Sequence, residues 1–350
     1  MLTRRTFLTL SGTALTGPAW QSLDAVCPVP AVTGTRGRIS PPVVALVEAM
    51  VTGAQQLDER HGSAAAAFVA DQFFSVSHLV ESSGYDAETG RRLCAALAQL
   101  AQTSGWMAQE SAHDALAQRW YHTALHAAHS AGDRGLTAGI MALMSNQATT
   151  LGNNSEALQL AAAAEQAAAQ APARVRALIA ARGTLAHAGA GDLAGVRRAR
   201  DRALALIAGQ EPGDGPAWAG YATRTELDAI SGRALITLAR HLPGRRRDLL
   251  LREAETLLRG RAVDAPEAHQ RSAVRHGALL CLAHLRTGDL DRAVDTGHAA
   301  LRRLPAVTSV RCAGLFAELR AELAPHAREA PHVRHLIDEV DRQVPRPARR

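Results

Sequence analysis

Three histidines, His122, His126 and His129, stand at offsets of 4 and 7, the spacing that aligns side chains on one face of a helix. Three imidazoles aligned in this way form a donor set suited to zinc or nickel. The apolar residues of the same segment, Ala117, Tyr121, Ala124, Leu125 and Ala128, fall largely on another face, and no carboxylate lies within reach in sequence. The expectation is therefore an exposed histidine face that holds no metal. Glu253 with Asp248, and Asp338 with Glu339, are the carboxylate pairs on which acid/base work could be placed. Such work needs an enclosed site that shifts their pKa values; on amphipathic segments these pairs read as solvated faces. Cys27, Cys94, Cys281 and Cys312 are scattered with no C-x-x-C pair, so neither a zinc ribbon nor a redox dithiol is signalled. No G-x-S-x-G elbow, glycine-rich phosphate loop, H-E-x-x-H or calcium loop occurs. All 39 basic residues are arginine, which excludes Schiff-base chemistry and a phosphate-loop lysine. The sequence nominates no catalytic residue, no metal site and no cofactor, and the expectation is a protein that is not an enzyme.

The elements that would position any site are helical. Alanine makes up about a fifth of the 350 residues and aromatics only 3%, so helix formers abound and strand formers are scarce. From residue 43 onward apolar residues recur at helical spacing between short Gly/Asp/Asn/Pro breaks. After Gly288-Asp289, the run Leu290, Ala293, Val294, Gly297, Ala300, Leu301 and Leu304 places one stripe on a helix that Asp289 caps and Pro305 stops. Gly152-Asn153 leads in the same manner into Ala157, Ala161 and Ala164, and Gly191-Asp192 into Val196, Ala203 and Leu204. Each such helix follows another, as at Leu97 to Ala108 or Arg275 to Arg286. Helix, tight turn and second helix with small residues at fixed offsets resemble the tetratricopeptide repeat (TPR). The spacing departs from the ideal of about 34 residues: anchors Ala117, Ala157 and Val196 are 40 and 39 apart, and Ala293 follows 97 residues later. A degenerate pair using a helix around Leu249 to Leu258 is expected in that gap. The predicted fold class is all-α, a TPR-like antiparallel helix-pair solenoid over residues 43–345, preceded by a leader or linker (1–42) and followed by a basic tail (346–350).

Within the leader, Thr3-Arg4-Arg5-Thr6-Phe7-Leu8-Thr9 and the mildly apolar Leu10 to Trp20 resemble a twin-arginine export signal. Val29-Pro30-Ala31 offers a small-residue cleavage site, and Asp24 stands where a lipobox before Cys27 would want leucine. The alternative is a linker to a domain upstream. The formal charge of +6 and pI near 9.8 come from arginines whose clusters, Arg245 to Arg247 and Arg346, Arg349 and Arg350, sit in an apparent loop and the tail. They read as solvated charges, so no direct nucleic-acid binding is expected. No apolar run of 18 residues occurs, so no membrane-spanning helix is expected either.

The stretch Leu97-Ala98-Gln99-Leu100 through Gly105-Trp106-Met107-Ala108, then Ala117-Gln118-Arg119-Trp120-Tyr121, Ala124-Leu125 and Ala131-Gly132-Asp133-Arg134, joins Leu57-Asp58-Glu59-Arg60-His61-Gly62 in a broader likeness. Together these resemble the C-terminal regulatory half of actinobacterial XRE-type helix-turn-helix transcriptional regulators, over about residues 40 to 345 and most specifically 57 to 165. In that family a segment much like Arg4-Arg5-Thr6-Phe7-Leu8 lies between the two halves. No helix-turn-helix is read before residue 43, so the resemblance implies action on DNA through a partner or an upstream domain. It implies a cytoplasmic regulatory module, with export through Arg4-Arg5 as the alternative. The expected partners are a protein or peptide ligand, a helix-turn-helix regulator, and a second copy of the chain forming a homodimer.

In a TPR stack the first helix of each pair lines the concave face, where ligands bind. Placing Ala117 at the small position of a second helix sends Gln102, Trp106, Gln109 and Glu110 to that face. Asn146, Thr149 and Thr150 follow in the next pair, and Arg182 and Arg275 further along. Amides that bond a peptide backbone, beside arginines that pair with a carboxylate, suit an extended peptide.

Overall fold

The computed structural model describes residues 9–24, 31–32, 37–211, 213–328 and 330–344. Arg4-Arg5, Cys27 and the tail 346–350 lie outside the described residues. Among those described there are fifteen α-helices and no strand, only isolated bridges. Five consecutive pairs form the body: α4 (Ala87–Glu110) with α5 (Asp114–Ala131), α6 (Arg134–Thr150) with α7 (Asn154–Ala167), and α8 (Ala173–Gly189) with α9 (Leu193–Ile207). The other two are α10 (Arg224–Ala239) with α11 (Gly244–Ala262) and α12 (Gln270–Arg286) with α13 (Leu290–Arg303). The pair α10–α11 occupies the long gap between Val196 and Ala293, with Leu250, Leu251 and Leu258 buried.

The pairs are held by small residues. Gly105 of α4 lets the ring of Tyr121 in α5 lie where a Cβ would meet its carbons at 2.7 and 2.8 Å. The turns follow from local chemistry: Gly288 takes φ of 86°, open to glycine, and the Asp289 carboxylate then accepts from the N–H of Arg292 at 3.1 Å, capping α13. The equivalent aspartates, Asp133 and Asp192, cap α6 and α9 in the same way at 2.8 Å. First helices are covered on nearly every side, and α6 is buried without interruption from Leu136 to Ala148, so no single apolar stripe is visible in it.

Each first helix touches the next, α4 to α6 to α8 to α10 to α12. The row then closes. Helix α2 (Pro41–His61) packs against both α4 and α12. Just beyond it, Ser63 N–H donates to Thr308 O at 2.8 Å, and Thr308 N–H to His61 O at 2.9 Å. Outside the ring, α3 (Ala66–Ser82) lies on α4, α14 (Val310–Leu323) on α12 and α4, and α15 (Pro331–Gln343) on α13 and α14. Within the segment assigned to the leader, Thr13–Asp24 form α1, whose Leu15 and Ala19 are buried against α5 and α7. Gln118 holds its approach by exchanging hydrogen bonds with the backbone of Leu10, at 2.6 and 3.1 Å.

Because the space behind Gly105 is filled by an aromatic ring, Gly105→Val overpacks the α4–α5 seam and lowers stability by about 1–3 kcal/mol. Gly314→Ala, whose added Cβ meets nothing within 4 Å, is neutral or mildly stabilising in the same urea titration. Equal urea midpoints for the two variants would contradict this packing.

Candidate functional site

The ring of first helices encloses a chamber of ≈ 410 Å³, within the range of small-ligand sites. Of the residues assigned to a concave face, Gln102, Trp106, Asn146, Arg182 and Arg275 line it. Four others do not. Gln109 is buried behind the wall, where its Oε1 accepts from the Tyr121 hydroxyl at 2.9 Å. Glu110 is wholly buried, Thr149 donates to Ser145 O at 3.0 Å, and Thr150 is exposed and donates to Asn146 O at 2.8 Å. The placement by repeat offset holds one face per helix; these four lie one position or one turn off it.

Closure changes the geometry from the groove that was expected. The α2–α12 contact spans the open side of the row, so the site is a chamber bounded by α2 as well as by the first helices. Its closing charges are shared. Arg271 of α12 binds Asp58 Oδ2 at 2.9 Å and also the Glu59 carboxylate, and both acids come from α2. One turn on, Arg275 pairs with Glu110, the last residue of α4, whose other oxygen accepts from the Ser309 hydroxyl at 2.6 Å. Trp106 lies beside both guanidiniums, at 5.3 and 5.2 Å from its ring centroid.

Burial and charge set the protonation of these groups. Burial is the largest influence on Glu110 and opposes ionisation, yet Arg275, Arg271 and the hydrogen bonds from Arg275 and Ser309 together hold it at about 2. Glu59 is likewise held at about 2 against burial by Arg271 and His269. Asp58 goes the other way: burial outweighs Arg271, and neighbouring Glu59 and Glu110 add to it, pushing its carboxyl up to about 7. His276, facing the chamber, is pushed down to about 3 by burial and then by Arg275. It is neutral, with Nδ1 2.8 Å from Ser272 O.

Sequence reasoning passed over Arg233 and Trp218. Arg233 of α10 meets only a neutral partner, Asn146 Oδ1, at 2.5 Å. Arg182 of α8 donates to Gly139 O at 3.2 Å and to the Tyr221 hydroxyl. Trp218, in the short turn Ala217–Ala219 before α10, is 9% exposed and its Nε1 has no partner. Several buried polar atoms without a partner belong to chamber residues, Asp58 Oδ1, Gln102 Oε1, Trp106 Nε1, Trp218 Nε1 and Arg261 Nε among them, while others, such as His122 Nε2 and Arg176 Nε, lie elsewhere. Arg233 lies on the first helix of the pair that fills the irregular gap; the spacing gives no register there, and that helix, covered all round, shows no stripe to supply one.

The three histidines of α5 depart from the exposed face expected of them. His126 is exposed, but His122 and His129 are half-buried because α5 is covered by α4, α6 and α1. Burial lowers the His122 pKa. Among the described residues, the ligand-type atoms that converge are instead His298, His335 and Glu339, between α13 and α15, where His298 Nδ1 meets Glu339 Oε2 at 2.5 Å. Asp338 and Asp248, nominated with their neighbours as acid/base pairs, take no part in the chamber.

No protein-family model matches the chain, and comparison with curated proteins gives no match.

Two measurements test the closing charges. Glu110→Leu leaves Arg275 buried and unpaired and costs about 3–5 kcal/mol, much of which returns in Glu110→Leu/Arg275→Met. Additive losses in this double-mutant cycle would show that the pair is not coupled. Asp58, with a folded pKa above its unfolded value near 3.9, contributes stability that is complete below about pH 4 and is lost as pH rises to about 7. Glu59 and Glu110, shifted down, contribute stability above about pH 4.5 that is lost as pH falls toward 2. Urea midpoints are therefore highest near pH ~5, and Asp58→Asn removes the decline between pH ~5 and ~8. A wild-type curve flat over that interval would refute the Asp58 assignment.

Proposed function

We propose that the chain is a non-enzymatic, TPR-like binding module that takes part of a peptide or protein ligand into its central chamber and acts in transcriptional regulation. The observation that carries the reading is the convergence of Gln102, Trp106, Asn146, Arg182 and Arg275, from four different first helices, on one enclosed space. The TPR-like description draws its support from the successive helix pairs, their aspartate-capped turns and the small residues between them. Closure of the ring adds a size constraint: the chamber takes a few residues or a chain end. The regulatory role rests on the resemblance over residues 57 to 165 and reaches DNA through a helix-turn-helix partner or an upstream domain.

A cytoplasmic location goes with this reading. Leu15 and Ala19 of α1 are 1% and 0% exposed, so cleavage near residue 30 would strip a helix from the packed body. That favours retention of the segment over export through Arg4-Arg5. No helix among the described residues is long and apolar enough to cross a membrane.

The test uses the full chain as bait in lysate of its own cells, with Leu185→Trp, which fills the chamber from α8, as the comparison. A peptide, or a helix-turn-helix regulator, recovered on the wild type and lost on the filled variant is expected, with an intact mass that includes α1. Equal recovery on both, or a mature mass lacking about thirty residues, would overturn the proposal.

A further inference from the structure

The chamber's charged groups divide into two sets. On the α2–α12 side every carboxylate is taken: Asp58 and Glu59 by Arg271, and Glu110 behind the wall by Arg275. Glu226 is taken by Arg261 at 2.7 Å. On the α6–α8–α10 side stand Arg182 and Arg233, for which the structure gives no carboxylate partner. Their contacts are a backbone carbonyl, a phenol and an amide oxygen, Gly139 O, Tyr221 Oη and Asn146 Oδ1. A guanidinium carries five N–H donors, so Arg182 spends two and Arg233 one.

Arg182 shares Gly139 with Trp218, whose ring lies 3.2 and 3.3 Å from the position of a Cβ there, while Arg233 is held at Asn146, two turns along α6, and lines the same chamber. The Trp218 indole N–H is a further buried donor without an acceptor. Donors thus line one chamber from α8, α10 and the turn before it, together with the apolar side chains of Leu143, Leu185 and Ile230. The local potential is positive: burial, then Arg275, Arg311 and Arg182, push the Arg233 pKa down to about 9 against the pull of Glu110. An incoming negative group relieves this imbalance, since the acids of the chamber are already held elsewhere.

We infer that Arg182 and Arg233, with the indole N–H of Trp218, form the anchor for a carboxylate carried on an apolar or aromatic body. The inference rests on the chamber being a ligand site, as proposed above, and names the chemistry of the group it takes. A planar carboxylate accepts from guanidinium forks and from an indole N–H in charge-assisted bonds, while its body occupies the apolar wall. The carboxylate has two sources, the C-terminus of a peptide or a free organic acid. Of the two arginines assigned to this task by repeat offset, Arg182 keeps it and Arg275 is neutralised by Glu110, so that Arg233 takes its place.

The experiment titrates the full chain with four probes, read by calorimetry and by tryptophan fluorescence. The probes are 3-phenylpropionate and 3-phenylpropionamide, and N-acetyl-Leu-Phe as the free acid and as the amide. Each acid is expected to bind about ten- to hundredfold tighter than its amide, the span of one or two hydrogen bonds to a charged group. Arg233→Met and Arg182→Met each lose about that factor for the acids and not for the amides, and Trp218→Phe loses less. Two arginine variants on different helices, each with its melting temperature recorded, keep the test decisive if one of them is destabilised. A tighter peptide acid assigns the site to a chain terminus; a tighter phenylpropionate assigns it to a free organic acid. Acid and amide binding equally, or binding unchanged in both arginine variants, overturns the carboxylate anchor and leaves the chamber a ligand site. Binding by none of the four overturns both readings.

Discussion

The closure of the helix row depends on two neighbouring arginines of α12. Arg271 reaches across to Asp58 and Glu59 of α2, and Arg275, one turn later, reaches Glu110 at the end of α4. Glu110 passes the constraint on through Ser309, whose hydroxyl also accepts from the Cys312 N–H at 3.0 Å and caps α14. The first pair, the last pair and the outer helix are thereby tied at one point. Buried ion pairs are weak sources of stability when compared with apolar packing, but breaking one is expensive because it strands a charge. Their effect here is positional: an open arrangement of the row would separate Arg271 and Arg275 from Asp58, Glu59 and Glu110, so the closed one is favoured over near alternatives.

Around that tie, the body is built from alanine and glycine. Small side chains let helix axes approach, so that Tyr121 fits over Gly105 and Ala300 sits against Gly277. Close approach buries little apolar area per residue, and the aromatic residues that usually fill a core are scarce. The large side chains are placed where a seam needs volume, as with Phe73 and Trp120 in edge contact at 5.2 Å. Trp106 and Trp218 are set apart by facing the chamber. Two of the four tryptophans thus line the chamber, Trp106 beside the guanidiniums of Arg271 and Arg275 and Trp218 over Gly139.

The helix pairs were legible because their signals are local. Gly288-Asp289 announces a turn and a cap within two residues, and the stripe from Ala293 to Leu304 needs no distant partner to be seen. The site was half legible for the same reason. Repeat offset places Gln102, Trp106, Asn146, Arg182 and Arg275 on first helices, and local periodicity suffices to send them inward. Offset carries no information about what arrives from the other side of the ring. That Glu110 meets Arg275 across 165 residues, and that α2 shuts the row, are consequences of tertiary closure. Arg233 was illegible for a third reason. Its helix is covered all round, so the stripe that would have given its register is missing.

The charges of the chamber can be followed to their end. Arg271, Arg275 and Arg261 each have an acid: Arg261 finds Glu226 within its own helix pair, and Arg271 and Arg275 find theirs where the ring closes. Arg182 and Arg233 are half-buried and have no such acid. Instead both are held by neutral oxygens that orient them without neutralising them. Places where local rules are broken and nothing in the fold compensates are the places where a sequence answers to something outside itself. The tie at α12 and the unmatched pair on α8 and α10 are therefore two uses of one residue type. Arginine with an acid shuts the ring, and arginine without one leaves its interior ready for an anion.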